Sequence, residues 1–482
     1  MSMKPLTVAL SMNDHKNINR LWNMGANTCH GALWLRSDLQ RHMRMAKRDL
    51  AFRYIRCHGL LNDDLGVVSP QGTFNFEKLH RAIQAVLDIG LKPFFEISSM
   101  PGFLASNDKS ITRYTFRSAP PKDWQLWYRL IHELTQSLVH RFGEREIRTW
   151  YFEVWNEPDI AFWSGTREEY FRLYDLCAQA IKSVNPGFRV GGPATARTNW
   201  IKEFLEHVTT PSPDYTLTAP RCDFISTHAY PSDVEFLDAA HGDVCLQSSD
   251  LIRTLFRRVR ELTDAYLGPE TPVIIGEWNS SAGPLAANHD NCNNGAFVAK
   301  IMHDLQDLCQ GSLYWNLSDI YEECGFHYTP FHGGYGLYTV NDLPKAAAHA
   351  FRMLNTLEGP SVTATYSETI PGIGIIGCKT PRGSRLLAYY YEEPDKKDCQ
   401  PEAVELIFPG WRIIRCESVE PGAGSAYETW LTLGSPDYIN RDILQQLEMA
   451  ACPRILQQPP RKAVNIQRGT FALLELEPAD VR

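Results

Sequence analysis

Between residues 27 and 320 the chain repeats one pattern. A short run of β-branched or aromatic residues leads into a polar loop, and then comes a stretch with apolar residues every three or four positions. The runs are NTCHGALW (27–34), FRYIRCHG (52–59), KPFFEISS (92–99), TWYFEVWNEP (149–158), FRVGGPAT (188–195), FISTHAY (224–230), VIIGEWNS (273–280) and SLYWNLSD (312–319), eight in all. Their length and composition predict buried strands. The stretches between them predict helices. In REEYFRLYDLCAQAIKSV (167–184), Tyr170, Leu173, Tyr174, Cys177, Ile181 and Val184 fall on one stripe, and Phe297, Ile301, Leu305 and Leu308 do the same in GAFVAKIMHDLQDL (295–308). Strands alternating with helices imply a parallel sheet covered on both faces, and eight such units imply an α/β fold of the (β/α)8 barrel type. A doubly wound open sheet would carry a glycine-rich phosphate turn after its first strand. The GGP at 191–193 comes in the fifth run and lacks that spacing.

Beyond the helix-like KAAAHAFRMLNTLEG (345–359) the texture changes. Short strand-like runs (GIGIIGCK, RLLAYYYEE, EAVELIFPG, WRIIRCESV, TFALLELEP) are separated by turn residues and interrupted once by a helical RDILQQLEMA. They predict an accessory antiparallel β-sandwich. The initial LTVALSM has no helical partner and is expected to return to that sheet. The expected division is a catalytic barrel at 14–343 and a sandwich at 344–482, joined by the N-terminal strand 1–13.

Composition narrows the function. At 482 residues the chain exceeds one ordinary core, so a large domain plus a smaller one is expected. A net charge of -8 without a Lys/Arg-rich block argues against a nucleic-acid or membrane partner. No apolar stretch approaches the ~20 residues that span a bilayer, and the start lacks a secretory cleavage pattern. The 12 Cys are scattered with no CxxC pair, and Cys57, Cys177 and Cys309 sit in strand-like or helix-like segments as small core residues. A reduced cytoplasm fits this usage.

The chemistry lies in the carboxylates. Glu157 ends the fourth run and Glu277 the seventh, each beside a Trp and an Asn, and Glu153 stands alone among four apolar or aromatic neighbours. C-terminal strand ends of such barrels carry catalysis. Two carboxylates aimed into one mouth from nearly opposite walls, ~5 Å apart or further, suit glycoside cleavage: one protonates the leaving oxygen and the other meets the oxocarbenium-like carbon. In YIRCHG, Arg56 and His58 are two apart and share the interior face, as do His228 and Tyr230 in FISTHAY. Arg56 is expected to support Glu277 by holding it ionised, and Trp315 offers a flat floor for a sugar ring. His58, His228, His289 and Asp290 could ligate a metal, but they lie on separate elements without HxH or HExxH spacing. No metal or other cofactor is expected.

These stretches also carry a resemblance. RCHGLLNDD (56–64), PPKDWQLW (120–127), WYFEVWNEPDIAFW (150–163), VGGPAT (190–195), STHAYPSD (226–233), IIGEWNSS (274–281), NHDNCNNGAF (288–297) and SDIYEECGF…PFHGGYGL (318–337) are similar over essentially the whole chain to glycoside hydrolase family 39, which holds β-xylosidases and α-L-iduronidases. The resemblance implies a retaining exo-glycosidase with acid/base Glu157 and nucleophile Glu277. It implies that Asn156 meets the sugar 2-hydroxyl, and that His58, Phe116, His228, Tyr230, Trp315, Glu322 and Glu323 line the glycone pocket. Asp159 and Trp278 depart from the Asn and Tyr usual in the xylosidases, and a reshaped pocket rim is expected from both. The activity so implied is release of terminal β-D-xylosyl residues from an oligosaccharide or glycoside, with a homo-oligomer compatible. Another glycone (β-glucoside, α-L-arabinoside or iduronide) and a non-catalytic sugar-binding protein remain the alternatives. A uronate would call for a cation facing it, whereas His, Tyr, Trp and Glu are the residues expected in the pocket.

Overall fold

The computed structural model describes residues 3–231, 249–323, 325–393, 397–456 and 462–479. Ser232, Asp233 and Cys324, which end or interrupt two of the stretches quoted above, lie outside them. Eight parallel strands close into a barrel, in the order Gly25–His30, Tyr54–His58, Lys92–Ile97, Tyr151–Val154, Arg189–Thr195, Phe224–His228, Val273–Glu277 and Gly311–Tyr314. Each expected run supplies one. The α/β barrel read from the pattern is the fold found.

Strand alternation sorts the interior into layers. Tyr54, Phe94, Phe224, Ile274 and Leu313 cluster with Met24 as an apolar plug at the N-terminal end. Two residues further along the strands stand Arg56, Glu96, Glu153 and Ser226, all buried. His58 and His228 come two residues later again, where the barrel opens. The residues between, such as Ile55, Cys57, Phe95, Phe152 and Ile275, join the large cluster under the surrounding helices. Cys57, Cys177 and Cys309 are buried free thiols.

The helix Arg167–Val184 has the expected bounds because a capping box closes its start: Glu169 N–H donates to the Thr166 hydroxyl (3.1 Å) and Thr166 N–H to the Glu169 carboxylate (2.7 Å). The later helix runs Cys292–Asp304, shifted toward the N-terminus of the expected span, because Asn291 caps it. Gly295 on that helix lets it lie against the second sheet. A Cβ there would sit 2.2 Å from the Phe471 ring.

The C-terminal unit is one ten-stranded sheet with its own core, which includes Leu6, Val8, Ile375, Leu386, Val404 and Leu474. The N-terminal strand Met3–Asn17 does return to it, pairing antiparallel with Pro360–Tyr366 and parallel with Ala403–Ile407. The sheet is therefore mixed rather than wholly antiparallel. That strand arrives from the far end of the chain, so no hairpin dictates its direction. Alternation along Gly383–Tyr390 sends Leu386, Ala388 and Tyr390 into the sheet's own core and Leu387 and Tyr389 toward the barrel.

Candidate active site

Glu157 and Glu277 reach the barrel mouth by irregular backbone. Beyond the fourth strand, Trp155 (φ 71°) and Glu157 (φ 43°) take left-handed conformations that non-glycine residues rarely hold. They turn Asn156 and Glu157 over the strand end. In the seventh strand the pairing register slips between Ile275 and Glu277. Such a bulge reverses the in-out sense of the residues beyond it. Ile274 therefore faces the plug, Glu277 still faces the mouth, and Trp278 points outward, where its indole N–H donates to Ser312 Oγ (2.8 Å) and its ring packs on Tyr314 and Phe351. The expectation that Trp278 shapes the pocket rim is thus corrected: the bulge sends it into the wall behind.

One oxygen of Glu157, one of Glu277 and a ring nitrogen of His228 lie within 4.8 Å of one another. Tyr230 donates its hydroxyl to Glu277 Oε1 (2.7 Å), and His228 Nδ1 bonds Glu157 Oε1 (3.0 Å). Beneath them Arg56 donates Nε to Glu153 Oε2 (2.6 Å), Nη1 to Asn27 Oδ1 (2.9 Å) and Nη2 to Asn156 Oδ1 (2.8 Å), and pairs with Glu96 at 3.1 Å. Ser226 completes Glu153 (2.5 Å), and His58 Nδ1 bonds Glu96 Oε2 (2.7 Å). Because Arg56 occupies the Asn156 oxygen, the amide nitrogen of Asn156 is left facing the pocket. Among the described residues, neither that buried nitrogen nor Glu277 Oε2 has a hydrogen-bond partner. Two orphaned polar atoms at one opening mark a place for a polar ligand.

The charges are unevenly shared. Arg56 Nη1 stands 3.6 Å and His58 Nε2 3.9 Å from Glu277 Oε2. Burial alone would discharge His58, but Glu96 outweighs it and raises its pKa. Burial raises Glu277, the nearby Glu157 adds to the rise, and His58 and Arg56 offset only part of it. Arg56 favours the ionised form of Glu277, yet its shortest contacts are to Glu153 and Glu96, so it does not overcome burial. His228 is held neutral, its pKa pushed down to about 4 chiefly by burial.

A pocket of about 410 Å³ opens over this cluster. His58, Asn156, Glu157, Tyr230, Glu277, Trp315 and Glu323 line it. Trp315 stacks on His58 (centroids 4.8 Å apart, 28° between planes) and meets Tyr321 and Tyr335 edge-on. His228 sits behind the two carboxylates. Phe116 lies one layer back, edge-on to Phe162 and Trp155. Glu322 is not brought in, because it turns to an ion pair with Arg36 outside the pocket while Tyr321 donates to Glu323. Glu96, Asn27, Tyr321, Tyr335 and Arg197 were not foreseen. A lone Glu inside an apolar run, as in KPFFEISS, was the available signal for Glu96, and the same signal marked Glu153.

Asp159 does not line the pocket but clamps the loop beside it. Its Oδ1 accepts from Ala196 N (2.8 Å) and its Oδ2 from Asn199 Nδ2 (3.0 Å), and burial pushes its pKa up to about 6. The clamped stretch carries Ala194, Arg197, Thr198 and Trp200 in left-handed conformations. His289 and Asp290 lie apart from His58 and His228: His289 bonds the Gly333 carbonyl (2.9 Å) and Asp290 pairs with Lys345 (2.5 Å). Glu157, His228 and Glu277 could approach a cation together, but Arg56 beside Glu277 opposes a second positive charge there.

Paired acids over aromatic walls, at the C-terminal face of a parallel barrel, define a glycoside hydrolase. The chain matches Glycosyl hydrolases family 39 over residues 7–465 and belongs to that family. It is 36% identical over 444 residues to the β-xylosidase of Caldicellulosiruptor saccharolyticus, covering 90% of this chain and 89% of that protein. It is 30% identical over 497 residues to the β-xylosidase of Geobacillus stearothermophilus, covering 98% and 95%. The structure of a family 39 β-xylosidase from Caulobacter crescentus superposes with a TM-score of 0.81 at 28% identity, covering 98% of this chain and 100% of that one. Among the described residues no helix is long and apolar enough to cross a membrane.

Proposed function

We propose that the chain is a retaining exo-glycosidase that releases terminal β-D-xylosyl residues, with Glu277 as nucleophile and Glu157 as acid/base. The approach of the two carboxylates, whose nearest atoms lie within 4.8 Å, carries the reading. Retaining enzymes hold the pair about 5–5.5 Å apart, whereas inverting ones leave roughly 6.5–9.5 Å for a water. The surroundings distribute the roles. Glu277 faces Arg56 and a His58 that favours its charged form, which suits a carboxylate that must be ionised to attack. Glu157 faces a neutral His228, which suits the partner that carries the proton.

In the first step Glu157 protonates the glycosidic oxygen while Glu277 attacks the anomeric carbon, giving a glycosyl-enzyme. In the second, ionised Glu157 takes a proton from water, which displaces Glu277 with net retention. The orphaned Asn156 amide donates to the 2-hydroxyl, and Trp315 supports the ring. The two β-xylosidase relatives support a xylosyl glycone. A uronide is the second reading, because Arg197 lines the pocket and supplies a cation where residue pattern alone places none.

The test combines Glu157→Ala with a panel of nitrophenyl glycosides. The native enzyme should release nitrophenol fastest from the β-D-xyloside. Glu157→Ala should lose most on poor leaving groups and regain activity with azide, yielding a glycosyl azide of retained configuration. Equal losses on good and poor leaving groups with no rescue would remove Glu157 from this role. Faster release from the α-L-iduronide would move the glycone to the second reading.

A further inference from the structure

Two histidines reach the paired carboxylates, and they are held differently. His228 turns one nitrogen to both acids. Its Nδ1 stands 3.0 Å from Glu157 Oε1 and 3.7 Å from Glu277 Oε2, and its buried Nε2 has no hydrogen-bond partner among the described residues. One ring proton satisfies that arrangement. His58 meets a carboxylate at each end. Its Nδ1 lies 2.7 Å from Glu96 Oε2, and its Nε2 lies 3.9 Å from Glu277 Oε2.

Glu96 is surrounded so as to be ionised. It is buried in the third barrel strand, where Ser98 donates its hydroxyl to Oε1 and Arg56 Nη2 stands 3.1 Å from Oε2. Burial alone would raise its pKa, but Arg56 and His58 outweigh that and hold it below the ordinary value. An ionised carboxylate only accepts, so the proton on the 2.7 Å line belongs to His58 Nδ1. A bare Nε2 would then turn its lone pair toward the Glu277 carboxylate, whereas a second ring proton meets it with positive charge. Beyond burial and Glu96, Arg56 on the same strand disfavours that charge and Glu277 favours it. His228, on the sixth strand, is held neutral. Trp315, Phe162 and Phe116 pack on the ring without charge, and the Trp315 face, its centroid 4.8 Å away, suits a cation.

We infer that Glu96 is a positioning residue for the reaction: through Nδ1 it holds His58 as an imidazolium, whose positive charge favours the ionised, attacking form of Glu277. Glu96 itself touches none of the reacting atoms and acts through the ring. His228 has no such carboxylate behind it, which is why two histidines at the same pair of acids carry different charges. This role deepens the proposed glycosidase reading and rests on it.

Glu96→Gln tests it, because the substitution keeps the shape and removes the charge. The amide oxygen can accept from His58 and Arg56, and Ser98 can accept in place of donating. Nitrogen NMR on protein with isotopically labelled histidine reads the ring directly, its signals identified by their loss in His58→Gln. At pH ~7.5, about one unit above an ordinary histidine, the native His58 should carry both ring protons and the Glu96→Gln protein only one. The acid limb of kcat/KM against pH, on the glycoside that the nitrophenyl panel selects, reports the ionisation of Glu277 in the free enzyme. Loss of the neighbouring cation should move that limb up by roughly one unit, in Glu96→Gln and in His58→Gln alike. The sign separates two routes, since removing a carboxylate that acted on Glu277 directly would move the limb down. A native His58 with one bare ring nitrogen, a limb that moves down, or activity that falls equally at every pH overturns the role and leaves the glycosidase standing. If Glu96→Gln does not fold, the native ring spectrum and the limb of His58→Gln decide. If no glycoside is turned over, the glycosidase reading fails, and the ring spectrum alone decides whether Glu96 charges His58.

Discussion

Two buried ionic clusters lie at the C-terminal ends of the barrel strands, and they are built from similar parts. In one, Arg56 sits among Glu96, Glu153 and Glu277 at 3.1, 2.6 and 3.6 Å. In the other, Lys345 sits between Asp290 (2.5 Å) and Asp319 (2.6 Å) and donates to the Gly334 carbonyl (2.9 Å). The second is closed on itself. Asp290 also accepts from Gly333 N (2.6 Å) and Asp319 from Gly336 N (2.7 Å), so the cluster staples the loops after the seventh and eighth strands around Tyr335. The first is left open: among the described residues the Asn156 amide nitrogen has no hydrogen-bond partner and Glu277 Oε2 comes no nearer to Arg56 than 3.6 Å, whereas Lys345 stands 2.5 and 2.6 Å from its two carboxylates. What separates the proposed reacting centre from a staple here is not the presence of buried charge but whether some of it faces a cavity unmet.

Glu277→Gln breaks the contrast most sharply. On the proposed assignment Glu277 is the nucleophile, so turnover should fall by at least ~10⁴-fold. Stability should move the other way. Burial raises the Glu277 pKa above its ordinary value, so ionising it costs the fold. The protein loses that stability as pH rises through the raised value, and the neutral amide avoids the loss. Thermal unfolding at neutral pH should therefore occur at an equal or higher temperature in the variant, and its advantage should fade below about pH 4, where a carboxyl of ordinary pKa is already protonated.

Lys345→Met should show the reverse. Two aspartates would be buried without their cation, and unfolding free energy in urea should drop by ~3–5 kcal/mol. Replacing both acids as well, in Lys345→Met/Asp290→Asn/Asp319→Asn, should recover much of that, because the penalty comes from unpaired charge. If the single variant unfolds like the native protein, the cluster is not a staple.

The barrel was legible because strand and helix periods alternate cleanly eight times, and Glu157 and Glu277 because each closes an apolar run. Their surroundings were harder to read. Alternation gives the facing of Arg56 and His58 in a regular strand, but one slipped pair near Gly276 exchanges the sides of Glu277 and Trp278. Glu322 and Glu323 are adjacent in an irregular loop, where sequence carries no rule for which one turns inward. Glu96 sits in the layer below and touches the pocket through His58 and Arg56. The partners of Met3–Asn17 lie more than 300 residues away. Pattern predicted its return to the second sheet, but not its parallel neighbour.

Asp159 tests the boundary between the two kinds of cluster with the smallest effect. It is a half-buried acid held by one backbone N–H and one side-chain amide, and burial pushes its pKa up to about 6. Relative to an ordinary Asp near 3.9, that is roughly two units, or ~2–3 kcal/mol of stability present in acid and lost as pH rises past 6. Asp159→Asn removes the charge and keeps one acceptor, for Ala196 N. It should gain on the native protein at pH 8 and hold no advantage at pH 4, in paired thermal scans. Asp159→Ala should be less stable than Asp159→Asn at both pH values, because the Ala196 amide and Asn199 would lose their acceptor. An Asp159→Asn variant equally destabilised at pH 4 and pH 8 would mean that shape, not charge, holds the loop that carries Arg197 to the pocket.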